Sequence, residues 1–124
     1  MAIRKFSVTV TTGTATGTGY SPWLSGYIES IQYVKDDFSN GVDFTITADE
    51  TGESILALTD QNDSGTWRPR AATHSVAGVA AVYASGGTAV NDRIALGRDR
   101  VKIAVAQGGN GTSGTFIITV DDAR

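Results

Sequence analysis

The chain has 124 residues and a mass of 12.9 kDa, which suits one domain spanning 1–124. With no cysteine, one histidine and a net charge of −3, it offers no disulfide, thiol or zinc–thiolate chemistry, little His-based chemistry, and no surplus of Lys and Arg for nucleic acid. Hydrophobic residues make up 40% and charged residues 19%, against the profile of a disordered tail, and 15 Gly and 16 Thr point to turns and β-structure.

Residues 3–11 alternate cleanly, with Phe6, Val8 and Val10 on one side and Ser7, Thr9 and Thr11 on the other, as in a half-buried strand. The alternation starts at once, so the N-terminal segment reads as a strand and not as a signal peptide. A small polar loop, 13–19, follows. Residues 23–35 fit two templates. Tyr27, Ile28, Ile31, Val34 and Phe38 could form a helical stripe, but β-branched and aromatic residues crowd the segment and Gly26 weakens a helix, so a strand is expected. Simple alternation then puts Tyr27, Ile31 and Tyr33 on one face and Leu24, Ile28 and Val34 on the other. A strand apolar on both faces implies a central position or a partner, and so an oligomer, with a trimer preferred.

Asn40-Gly41 between apolar runs predicts a type I′ hairpin into a strand at 42–48, with Val42, Phe44 and Ile46 inward. Turns at 49–53 and 60–65 flank a short strand at 54–59. Residues 66–70 are extended, with Pro69 marking an edge or an end. Residues 71–97 fit a helical turn, a strand or an ordered loop, and Gly78 argues against one long helix. Their apolar stretch, 76–84, is far shorter than the ~20 residues of a membrane span. Residues 100–106 alternate with Val101, Ile103 and Val105 inward. A glycine-rich loop, 108–114, leads to a last strand at 115–120. The pattern is all-β: a single β-sandwich of seven or eight short antiparallel strands, Ig-like or jelly-roll-like.

Charge is uneven along the chain. Residues 29–63 hold nine acids and one base, a net of −8, and residues 68–102 hold six bases and two acids, a net of +4. Either the strands fold the two regions together, or two faces of opposite sign meet neighbouring subunits or a larger assembly.

Motifs with chemical potential each have a plain structural alternative. Gly109-Asn110-Gly111-Thr112-Ser113-Gly114 matches G-x-G-x-x-G, but it opens onto a strand and not a helix, so a hairpin loop is expected. Asp60-Gln61-Asn62-Asp63-Ser64-Gly65 resembles half a calcium loop, yet position 12 is Ala71 where a bidentate carboxylate is required. Asp36-Asp37 with Asp49-Glu50 would make a cation site only if the fold brought them together. His74 beside Ser75 is adjacency, not a nucleophile–base pair. No catalytic, cofactor or metal site is therefore assigned, and an enzyme is not expected. The candidate residues are those of a protein interface: Trp67 as an apolar anchor, flanked by Arg68, Pro69 and Arg70, the basic residues Arg68, Arg70, Arg98 and Arg100, and the Tyr27, Ile31 and Tyr33 face.

Three stretches resemble small structural proteins encoded by tailed bacteriophages and prophages: residues 26–47 (GYIESIQYVKDDFSNGVDFTIT), Arg70-Ala71-Ala72-Thr73-His74, and residues 100–109 (RVKIAVAQGG) with Ser113-Gly114-Thr115-Phe116. The resemblance implies a virion structural protein of the kind found among head genes, with no active site to carry over. The resemblance does not by itself say whether such a protein decorates the capsid, joins head to tail or belongs to the tail. The expectation is a capsid decoration (cement) protein, folded in a host cytoplasm, resident on the virion and bound to the major capsid protein or other virion proteins, with no cofactor, nucleic acid or membrane. The alternative is a tail or head–tail component acting as a receptor- or carbohydrate-binding module.

Overall fold

The computed structural model describes residues 2–122, all in strands, turns and loops. Among these residues no helix is long and apolar enough to cross a membrane. Ten strands form, more than the seven or eight expected: β1 (Ala2–Thr11), β2 (Gly17–Tyr20), β3 (Leu24–Val34), β4 (Asp43–Ala48), β5 (Ser54–Leu58), β6 (Gly65–Trp67), β7 (Arg70–Ala72), β8 (Asn91–Asp99), β9 (Val101–Ala106) and β10 (Ser113–Asp122). They make two antiparallel sheets that share one core. One runs β1-β10-β3-β8-β7 with β6 also paired to β3, and the other runs β2-β9-β4-β5.

Alternation settles most strands. Val8 and Val10 of β1, Phe44 and Ile46 of β4, Val101, Ile103 and Val105 of β9, and Phe116, Ile118 and Val120 of β10 all point inward and are buried. At the centre, Tyr33, Phe44 and Phe116 bring three rings together from β3, β4 and β10, with centroids 4.8, 5.2 and 5.1 Å apart. Each pair of rings adds to the burial term.

β3 departs from simple alternation. Its pairing with β10 slips between Thr119 and Val120, because Ser30 faces Thr119 and Ile28 faces Val120, which leaves Glu29 as an extra residue in a β-bulge. Parity reverses there. Leu24 and Ile28 before the bulge, and Ile31 and Tyr33 after it, all reach the same core. The two-faced apolar strand is thus a one-faced strand with a step in it. Ile31 and Tyr33 are 0% exposed and offer nothing to a partner. The ground for expecting a trimer through this strand goes with them. Gly26 is required nearby, since it has φ +138° and a Cβ there would run into the carbonyl oxygen of Asp121.

Asn40-Gly41 does not form the expected hairpin. β3 and β4 lie in different sheets, and only Gly41 (φ 89°) has positive φ, whereas a type I′ turn needs it at both residues. The glycine-rich loop at 108–114 likewise crosses between sheets, from β9 to β10. β8 and β9 are nearly one strand that bends from sheet to sheet at Arg100, a corner of the kind that lets sandwich strands change layers.

The Tyr33 hydroxyl is buried without a hydrogen-bond partner. Burial, and then the charge of Asp36, push its pKa up to about 12. The neutral phenol is the form the fold favours, so this contribution is complete below pH ~10 and is lost as the pH rises towards 12. Tyr33→Phe should therefore raise stability by about 1 kcal/mol in urea titrations at pH 7 and flatten the alkaline loss between pH 10 and 12. A destabilised variant would show that the hydroxyl has a partner.

Candidate interaction surfaces

The acidic and basic segments fold onto each other. Arg70 and Arg93 both pair with Glu29, at the bulge, and Arg100 pairs with Asp49 at 2.9 Å. Arg93 also donates to Asp121 and lies 4.3 Å from the centre of the Tyr27 ring. Those carboxylates, Glu29 foremost, raise its pKa further and hold it charged. These pairs join the two segments through Glu29 and Asp49 and engage Arg70, Arg93 and Arg100, so the strands do bring part of the acidic and basic segments together.

The proposed interface residues do not form one patch. Trp67 packs against the core, edge-on to Phe44 in the opposite sheet (6.5 Å), with Gly65 close under its ring. It is a strut between sheets and not an exposed anchor. Arg68 is exposed, and Arg70 is tied to the Glu29 and Pro69 carbonyls. Arg70 lies opposite Arg93 at one end of β8, while Arg98 and Arg100 lie at the other. Tyr27 remains partly exposed, its ring covered by Arg93.

The other motifs also resolve into structure. Asp36 accepts from Thr115 and Asp37 from the Ser113 amide, whereas Asp49 pairs with Arg100 at the far end of β4, so the two acid pairs do not converge. In the calcium-like turn, Asn62 accepts the Gly41 amide and Ser64 the Lys35 amide, which commits both oxygens to neighbouring loops. No group of three potential metal ligands occurs among the described residues. The Ser75 hydroxyl accepts from the Ala77 amide in a turn, and His74 is exposed.

Two surfaces stand out instead. The first is built on the β8–β9 corner. Asp99 is buried there. Desolvation alone would raise its pKa, but backbone N–H groups of Glu50, Arg100, Thr51 and Asp49 more than offset it and hold the carboxyl below its ordinary range. The carboxylate thereby fixes the β4–β5 turn to the corner. A group whose folded pKa is depressed contributes above its unfolded pKa and less as the pH falls. Asp99→Asn should lower the melting temperature at pH 7, and the gap from wild type should shrink as the pH falls below about 4. A gap independent of pH would show that the charge is not what matters. Beside Asp99, the Arg100 guanidinium stacks on Tyr20 (4.0 Å) and Trp23 (4.8 Å), both partly exposed. Ser21 anchors this segment by accepting the Val101 amide at 2.8 Å. Trp23 also borders a groove of about 570 Å³ lined by Arg4, Phe6, Leu24, Ser25, Arg98, Val120 and Asp122.

The second surface is an arm, residues 73–90, which leaves the sandwich between β7 and β8. Three backbone hydrogen bonds close its base in a ring: Thr73 N–H to Val90, Val90 N–H to Ala81, and Ala81 N–H to Thr73. Two small hairpins spread from the ring, one through the His74–Ala80 bridge and one through Val82–Ala89. Val76, Val79, Val82 and Tyr83 are exposed large hydrophobics. Residues 71–91 contain no Asp, Glu, Lys or Arg, a signal present in the sequence but hard to read without the fold. The total accessible surface, 6855 Å², exceeds the ~6,300 Å² of a compact monomer, as a projecting arm requires.

No family model matches the chain, and no curated protein matches it. Among solved structures it is similar to the "Crystal Structure of FLHE", with 9% identity, a TM-score of 0.45, and coverage of 97% of this chain and 98% of that one. At that distance the likeness bears on neither fold nor function.

The arm carries four exposed large apolar side chains and no Asp, Glu, Lys or Arg, so covering it would cost little in desolvation. The groove, by contrast, joins an apolar floor to charged rims, the usual composition of a ligand site.

Proposed function

We propose that the chain is a virion structural protein of a tailed bacteriophage, a capsid decoration protein that adheres to the major capsid protein through the 73–90 arm. The observation that carries this reading is the arm itself: exposed Val76, Val79, Val82 and Tyr83 on a segment without charge. The resemblance of residues 26–47, 70–74 and 100–116 to small phage structural proteins supports the choice of partner. Adhesion would be multiplied by copy number and shell symmetry. The basic residues and Trp67 have a smaller part than their sequence context suggested, because Arg70, Arg100 and Trp67 are engaged inside the chain.

Excising residues 74–89 and joining Thr73 to Val90 through two glycines should leave the sandwich folded and its melting temperature within a few degrees of wild type. Occupancy on purified particles, counted by quantitative mass spectrometry, should fall at least tenfold, roughly the loss of one or two apolar anchors. Full occupancy would remove the arm from the interface. The rival reading, a receptor- or carbohydrate-binding module in the tail, draws on one observation: Tyr20 and Trp23 are partly exposed around Arg100. A few copies per virion, against hundreds, would favour it.

A further inference from the structure

The groove at the β8–β9 corner has features that adhesion through the arm does not use. Its walls come from three places: Arg4 and Phe6 on the edge strand β1, Val120 and Asp122 on β10, and Trp23, Leu24, Ser25 and Arg98 at the corner. Arg4 is neutralised by Asp122 at 3.2 Å. Arg98 is exposed and makes no ion pair with a described residue, so it is the groove's uncommitted cation. Its placement is strained. Arg98 adopts φ 51°, a left-handed conformation that favours glycine, although Gly97 lies immediately before it. Its N–H donates to the Ser25 hydroxyl at 3.0 Å, and the extra residue in β8 aims its side chain from the bulge opposite Ser25. The bulge imposes this conformation, as the turns and bends do at Asp36, Asp60 and Gln107, where φ is 51°, 53° and 56°. The opposite wall is braced, since Trp23 rests on Arg100, which Asp49 holds.

The geometry points to a binding site for the C-terminal carboxylate of a polypeptide that ends in a large apolar or aromatic residue. Arg98 pairs with the carboxylate through its two-pronged guanidinium, and Phe6, Trp23 and Leu24 take the side chain. A terminal residue suits the groove because its carboxylate and side chain leave the same carbon, so both reach their partners together. This site is separate from the arm and does not depend on the capsid reading.

The test is an NMR titration of the full chain with N-acetyl-phenylalanine, N-acetyl-phenylalaninamide and N-acetyl-alanine. The first should bind in the millimolar range and shift the amides of Phe6, Trp23, Ser25 and Arg98. The amide lacks the charge and the alanine derivative lacks the ring, and each should bind about tenfold more weakly. Arg98→Gly should relieve the strain and raise the melting temperature by a few degrees while cutting N-acetyl-phenylalanine binding about tenfold. Arg98→Ala should cut binding equally without that rise. The proposal is overturned if acid and amide bind alike, if no probe titrates, if the shifts fall outside the groove, or if Arg98→Gly binds like wild type.

Discussion

Phe116→Ala is expected to lower the unfolding free energy by about 3–5 kcal/mol, enough to leave the domain marginal at 37 °C. The ring is completely buried and touches Tyr33 and Phe44 across the two sheets, with centroids 5.2 and 5.1 Å away. Truncation removes the transfer energy of the ring and leaves a cavity that cannot collapse, because its walls belong to paired strands. Phe116→Leu keeps most of the volume and should cost about half as much or less. Urea titration of the two variants checks both values. A cost below ~1.5 kcal/mol for the alanine variant would mean that the three rings do not form the centre of the core.

Deleting Glu29 should leave a folded domain but lower its unfolding free energy by about 1–3 kcal/mol. Ile28 faces Val120 and Ser30 faces Thr119, which are neighbours in β10, so without the extra residue β3 closes into unbroken alternation with Leu24, Ile28, Ile31 and Tyr33 all inward. The cost arises on the other edge of β3, where β8 pairs with residues before the bulge and β6 with residues after it, and one must shift by a residue. Glu29→Ala separates this from the loss of the carboxylate. Its ion pairs with Arg93 and Arg70 are partly exposed, and Arg93 keeps Asp121, so the substitution should cost about 1 kcal/mol or less. Urea titration of both variants checks the order, and an unfolded deletion variant would show that β6 and β8 cannot adjust to a regular β3.

The same bulge marks where the sequence stopped being legible. Strands with unbroken alternation, such as β1, β4, β9 and β10, could be read residue by residue, since burial follows period two directly. In β3, two correct half-patterns of opposite parity merged into an apparent two-faced strand, and Ile31 and Tyr33, which lie in the core, were read as an outward face. Asn40-Gly41 misled for a related reason. A local turn signal says that the chain reverses, not whether the next strand joins the same sheet, which the long-range pairing of β4 with β9 decides. The candidate surfaces were harder. Arg4, Trp23 and Arg98 are far apart in sequence and meet only at the corner. The charge imbalance of 29–63 against 68–102 was visible, but not that the fold would join the two segments at Glu29 and Asp49. Trp67 looked like an anchor because Arg68, Pro69 and Arg70 flank it, although its ring faces inward.

The ring of hydrogen bonds at Thr73, Ala81 and Val90 bears on the entropy of association. The arm owes its order to its own backbone and not to a partner, for the loop closures that define its shape are complete in the free chain. Docking through the arm, as proposed, would forfeit side-chain freedom at Val76, Val79, Val82 and Tyr83, but not the backbone freedom that a disordered tail surrenders, about 1–2 kcal/mol for each residue fixed. Four modest apolar contacts can be enough for an element that arrives already shaped, where an unstructured segment of the same length would need a far larger contact area to hold as tightly.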